Sequence, residues 1–197
     1  VGFFVVGLWP FNLFPKNNVA WLPDRNGLHF PGGETRSRYS AGGFAFTPKP
    51  LTAPRRGATE EGSLSLEMWL RPSLEPGNGR FRIVSFSSES RVEQLFVGQW
   101  RSHLLVRILQ AGGSGRPAER EIGVDDVLKA GEPRFITITS DRNGTLFYLE
   151  GQPVKRCENV SLVHWPGSIA GRRLMLGDSP EGASAWPGDI YGLAIYA

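Results

Sequence analysis

Cysteine is nearly absent. Cys157 stands alone among 197 residues, so no disulfide forms within the chain and no cysteine cluster holds a metal. Histidine is scarce as well: His29, His103 and His164 lie far apart and in no ligand spacing. Basic residues do not gather. The formal net charge is only +3, and the basic runs are pairs such as Arg55-Arg56 and Arg172-Arg173, which excludes the stripe that nucleic acid needs. Gly-x-Ser-x-Gly, His-Glu-x-x-His and a phosphate-binding loop are all missing. Helical periodicity is missing too, except that Gly123–Lys129 reads as a short helical turn, with Asp125-Asp126 in the first turn where carboxylates suit the helix dipole.

What is present is turn chemistry and period two. The 25 glycines and 15 prolines suit many short strands joined by turns. In Ser63–Pro72, Leu64, Leu66, Met68 and Leu70 alternate with Ser65, Glu67, Trp69 and Arg71. Successive strand side chains point to opposite faces, so the leucine side is expected in a core. Pro72, which has no N–H to donate, ends the ladder. Further strands are expected at Leu28–Phe30, Gly43–Thr47, Arg80–Ser87, Glu93–Gly98, His103–Leu109, Arg134–Ser140, Thr145–Gly151, Arg173–Gly177 and Asp189–Tyr196. Glu119-Arg120-Glu121 reads as a solvated edge strand. The tetrad Asp-Arg-Asn-Gly occurs twice, at 24–27 and 141–144, and its Asn-Gly accepts the positive φ of a tight turn. Together these give an all-β sandwich or barrel.

The start of the chain is different. Val1–Phe11 is uncharged and strongly apolar, yet shorter than the ~20 residues that span a bilayer. Three readings compete: the exit of a membrane helix, the end of a signal peptide, or a buried first strand. No small-residue cleavage site follows, and Trp9 and Phe11 flank Pro10 as aromatic residues do at a membrane interface. A membrane-helix exit is therefore expected, in a fragment that starts at Val1 rather than Met. Residues 1–22 then form a membrane-proximal segment and linker, and residues 23–197 the β domain.

Four segments resemble the laminin-G-like domains of the concanavalin A-like lectin/glucanase superfamily. They are Asn26–Phe30, Ser63–Pro72, the hairpin end Leu146-Phe147-Tyr148-Leu149-Glu150-Gly151, and Leu174–Gly177 with Trp186–Ile190 and Leu193–Tyr196. The resemblance implies a two-sheet antiparallel jelly-roll sandwich. Two positions depart from the family pattern: Glu132-Pro133-Arg134 stands where Trp-His-His is usual, and Glu150 replaces an Asp. The leader Leu8–Pro15 with Val19–Leu22 resembles bacterial membrane proteins that carry such a domain beside VanZ-like membrane helices. That likeness implies an extracytoplasmic, membrane-anchored location.

The superfamily includes β-glucanases, which need paired carboxylates on one strand face. No Glu-x-Asp occurs in this chain, so a hydrolase is not expected. No cofactor is called for by the residues. The resemblance leaves calcium as the one candidate, at Asp178 and Asp189; alternatively, Asp178 turns onto its own backbone and Asp189 merely begins a strand. Trp100 and Trp165 stand at expected loops, where aromatic faces suit sugar rings, with Arg101 and His164 (and Gln99) beside them as hydrogen-bonding groups. Their alternative role is to plug the sandwich ends, as Trp186 is expected to do. The implied function is a non-catalytic recognition module for carbohydrate or protein, monomeric and without nucleic-acid partners. The alternatives are a purely structural interaction domain of a larger membrane protein and a degenerate glycoside hydrolase.

Overall fold

The computed structural model describes residues 17–32, 43–51, 62–74, 78–87, 93–111, 117–162, 171–178 and 185–196. The apolar run Val1–Phe11 lies outside them, as do His164 and Trp165. Thirteen strands are described: β1 (Ala20–Trp21), β2 (Leu28–Pro31), β3 (Ala45–Phe46), β4 (Leu64–Pro72), β5 (Phe81–Ser87), β6 (Glu93–Trp100), β7 (His103–Ala111), β8 (Pro117–Val124), β9 (Arg134–Asp141), β10 (Gly144–Leu149), β11 (Gln152–Glu158), β12 (Arg173–Leu176) and β13 (Pro187–Tyr196). They form two antiparallel sheets. One has seven strands in the order β1-β2-β13-β4-β9-β10-β11, the other six in the order β3-β12-β5-β6-β7-β8.

The core lies between the sheets and follows from the alternation in β4. Leu64, Leu66, Met68 and Leu70 are all buried, as expected, and cluster with Ile136, Ile138 and Phe147 of the same sheet. Ile83, Val84, Phe86, Leu95, Val97, Leu104, Val106 and Ile108 fill it from the six-stranded sheet. Trp186 is fully buried at the entry to β13. Its indole Nε1 donates to Gln99 Oε1 at 2.7 Å, and Gln99 Nε2 donates to the carbonyls of Arg101 (2.6 Å) and Leu128 (3.2 Å). Gln99 is thus a fully buried structural hub, not the ligand-facing group its loop-like sequence suggests.

Three elements differ from the sequence reading. Gly123–Lys129 is not helical: Gly123 and Val124 finish β8, Asp125-Asp126 make a turn, and residues 127–129 run on without regular structure. The reason is packing. Val127 and Leu128 both enter the core, and Leu128 N donates to Ser102 O at 2.8 Å, binding the segment to the β6–β7 hairpin. The second difference is β11, an edge strand that carries Pro153, Lys155, Arg156 and Glu158. Exposed along most of its length, with only Cys157 half-buried against the core, it has no apolar period, and charge and proline on a sheet edge discourage pairing with another chain. Ala20 and Trp21, which read as linker, pair with His29 and Leu28, so the sheet starts before the first Asp-Arg-Asn-Gly turn.

Candidate functional site

Register places the polar phase of β4 on the outer face of the seven-stranded sheet, in rows that cross neighbouring strands. Ser65 is aligned with Tyr196 of β13 on one side and Thr139 of β9 on the other; Thr139 is in turn aligned with Leu146 of β10, and Leu146 with Arg156 of β11. The next row holds Ala194, Glu67, Thr137 and Tyr148. Then come Gly192, Trp69 and Phe135, and finally Asp189 between Arg71 and His29.

This face is unusually aromatic for a solvent side. Trp69 is 53% exposed, Tyr196 56% and Phe135 37%. The register of β13 against β4 shifts between Ile190 and Gly192, so Tyr191 is an extra residue at this irregularity. Its ring meets Trp69 edge-on at 5.3 Å, and the Arg25 guanidinium lies 5.7 Å from its centre. Glu150 fixes the start of β9: its Oε1 accepts the Phe135 N–H at 3.0 Å while its own N–H donates to Phe135 O at 2.9 Å. The residue that departs from the family pattern therefore ties the β10–β11 turn to the aromatic patch.

The end of the face beside Trp69 is ionic. The buried Asp189 carboxylate accepts from Arg71 Nη2 (2.6 Å) and Nε (3.1 Å) on Oδ2, and His29 Nδ1 lies 2.7 Å from Oδ1. The hydrogen bond to Asp189 lifts the Arg71 guanidinium above its ordinary pKa. At the other end, where β4 begins and β9 turns into β10, a cavity of about 290 Å³ opens among Ser65, Thr139, Asp141, Leu146, Tyr148 and Arg156.

Of the residues singled out from sequence, Asp189 lies on this face, Trp100, Arg101 and Asp178 fall elsewhere, and His164 and Trp165 lie outside the described residues. Arg101 is in the two-residue turn between β6 and β7, with a left-handed φ of 54°. Trp100 is half-buried; His103 stacks on it at 5.1 Å and the Arg101 guanidinium lies 5.0 Å from its ring. Arg101 Nη2 also donates to Asn78 Oδ1 at 2.9 Å. This hairpin adjoins residues 127–131, which bond to Pro72 through the Gly131 N–H, so it sits at the opposite end of β4 from the cavity. Asp178 is buried 3.5 Å from Arg82 Nη1. A calcium ion at Asp178 or Asp189 would compete with an arginine, and among the described residues no three His, Cys, Asp or Glu groups stand together. Sequence reading missed the outer face. Its signal was Trp69 itself, a large aromatic in the polar phase of the most regular strand.

The fold defines a two-sheet antiparallel jelly-roll sandwich. The chain belongs to the concanavalin A-like lectin/glucanases superfamily, whose laminin-G-type family model matches residues 49–197. No curated protein matches it. Among solved structures, it is similar to the botulinum neurotoxin serotype D ligand-binding domain in complex with N-acetylneuraminic acid, with 10% identity and a TM-score of 0.60 over 91% of this chain and 40% of that one. It is also similar to the botulinum neurotoxin DC binding domain in complex with rat synaptotagmin II, at 16% identity and a TM-score of 0.61 over 92% and 42%. A native heptameric SAP-like pentraxin from Limulus polyphemus gives 16% identity and a TM-score of 0.56 over 85% and 73%. The chain thus spans about two-fifths of the neurotoxin chains it resembles.

Proposed function

We propose that this domain is a non-catalytic recognition module that holds a carbohydrate on the outer face of its seven-stranded sheet. The observation that carries the reading is the set of open aromatic rings on this face, Trp69 beside Phe135 and Tyr196 two rows away beside Ser65, among hydroxyl and charged side chains. Exposed ring faces suit the apolar C–H surfaces of sugars, and flanking polar groups fix orientation. Structural neighbours in complex with N-acetylneuraminic acid and with rat synaptotagmin II support a binding role on this fold. A glycan array probed with the domain tests the reading. Binding that Trp69→Ala weakens tenfold or more is expected, whereas a blank array rejects carbohydrate and favours a protein partner.

The same reading places the module outside the cytoplasm on a membrane anchor, supported by the apolar run Val1–Phe11. Deleting Val1–Phe11 is expected to leave the melting temperature nearly unchanged and to improve solubility. A large loss of stability would instead make the run a core strand.

A further inference from the structure

The cavity at the turn end of the β9–β10 hairpin is separated from the Trp69–Phe135 pair along the same face. Ser65 borders the cavity and Trp69 belongs to the pair, four residues apart on β4, or about 13 Å at ~3.3 Å per residue. That is longer than one sugar ring. The two places are therefore separate stops for a chain-like ligand rather than halves of one site.

The cavity floor is fixed by its own hydrogen bonds. Thr145 Oγ1 donates to Val160 O at 2.6 Å, and the Leu162 N–H donates to Ser140 Oγ at 2.8 Å. The two hydroxyls lie 2.9 Å apart, and Ser140 Oγ also reaches Gly144 O at 3.2 Å. Gly144 must be glycine here: its φ is 143°, and a Cβ would meet Cys157 O at 2.5 Å. A floor held by these bonds is pre-ordered, which lowers the cost of ordering a ligand.

The rim carries the chemistry. Asp141 accepts the Asn143 N–H at 2.7 Å, an Asx turn that orients its carboxylate. That bond, with Arg156 acting in the same direction, keeps the Asp141 carboxyl below the ordinary carboxylate range. A carboxylate accepts from two hydroxyls at once, and a guanidinium donates in a fork. One positive and one negative group on the same rim disfavour a ligand of either charge and suit a neutral one rich in hydroxyls. Leu146 and the Tyr148 ring add an apolar wall, while Ser65 and Thr139 add hydroxyls.

Building on the carbohydrate reading, we infer that this cavity is a subsite for one neutral sugar residue, gripped at adjacent hydroxyls by Asp141 and Arg156, with the following residues of the glycan running along β4 to Trp69.

The test is calorimetric titration of the domain with methyl glycosides of glucose, mannose and galactose, and with the hexaoses cellohexaose, mannohexaose and maltohexaose. Native protein, Asp141→Asn, Arg156→Ala and Trp69→Ala are compared after thermal melting confirms that each is folded. Asn keeps the Asx acceptor, and Arg156 is exposed, so both rim variants should fold. The inference expects at least one glycoside–hexaose pair to bind, the hexaose at least tenfold tighter. Both rim variants should lose tenfold or more for both ligands, and Trp69→Ala for the hexaose only. Hexaose binding lost in Trp69→Ala but kept in the rim variants overturns the subsite and leaves the face reading standing. Binding unchanged in all three variants overturns both. Absence of binding by every probe overturns the neutral-sugar subsite, and the glycan array then decides the wider reading.

Discussion

The two sheets treat an outward aromatic in opposite ways. On the six-stranded sheet, Phe96 is not part of the inter-sheet core cluster, yet it is only 2% exposed. Two guanidinium groups approach its ring, Arg107 at 5.0 Å and Arg82 at 5.7 Å. Both arginines are anchored, Arg82 by Asp178 at 3.5 Å and Arg107 by Glu119 at 3.3 Å. On the seven-stranded sheet, Trp69 has an arginine two residues away on the same face, but Asp189 draws Arg71 aside and the indole stays 53% exposed. One buried aspartate helps to close a ring and the other helps to leave one open. The comparison teaches that an aromatic in the polar phase of a strand is no signature by itself; the neighbouring charge decides its role.

The comparison can be broken most forcefully at Phe96. Phe96→Ala should destabilise the domain by about 3–5 kcal/mol, as removal of a buried phenylalanine does, measured by chemical denaturation. A loss below about 0.5 kcal/mol, the usual size of a surface substitution, would mean the ring is not sealed. Asp189→Asn comes next. It replaces charge-assisted hydrogen bonds with neutral ones and should cost about 1.5–3 kcal/mol, while releasing Arg71 to cross Trp69 and weaken glycan binding. Unchanged binding would separate the aspartate from the opening of the ring.

Trp69→Ala should cost only about 0.5–1.5 kcal/mol, the value of an aromatic pair such as that with Tyr191, and act on binding instead. The smallest effect concerns pH. The Asn143 N–H holds Asp141 below its ordinary range, and a carboxyl with a depressed folded pKa contributes stability above its unfolded pKa. That contribution is lost as pH falls through the folded value. The stability difference between the native protein and Asp141→Asn should be constant near neutrality and shrink below about pH 4. A difference that grows on acidification would reverse the assignment.

Much of the sandwich was legible because burial on one face writes period two into a strand. Leu64 to Leu70 showed the core directly, and Trp186 fell where the family resemblance placed it. The edge strand β11 was not legible, since all but Cys157 of its residues are exposed and they obey no period. The helical reading of Gly123–Lys129 failed because local propensity is weaker than the burial of Val127 and Leu128. The outer-face site needed register: nothing local says that Ser65, Thr139, Leu146 and Arg156, spread over ninety positions, share one row. Trp100, at the end of β6, was easy to notice for the opposite reason, being flanked by polar residues.

The turn from β9 to β10 has only Arg142 and Asn143 at its tip. In sandwiches with long loops, new ligand preferences arise by lengthening or reshuffling those loops. Here the tetrad that shapes the cavity is too short to vary, and its glycine admits no substitute. Diversification would have to proceed through point changes on the strands themselves. A small combinatorial library at Ser65, Thr139 and Arg156, with the turn left intact, is the direct route to a domain of altered selectivity.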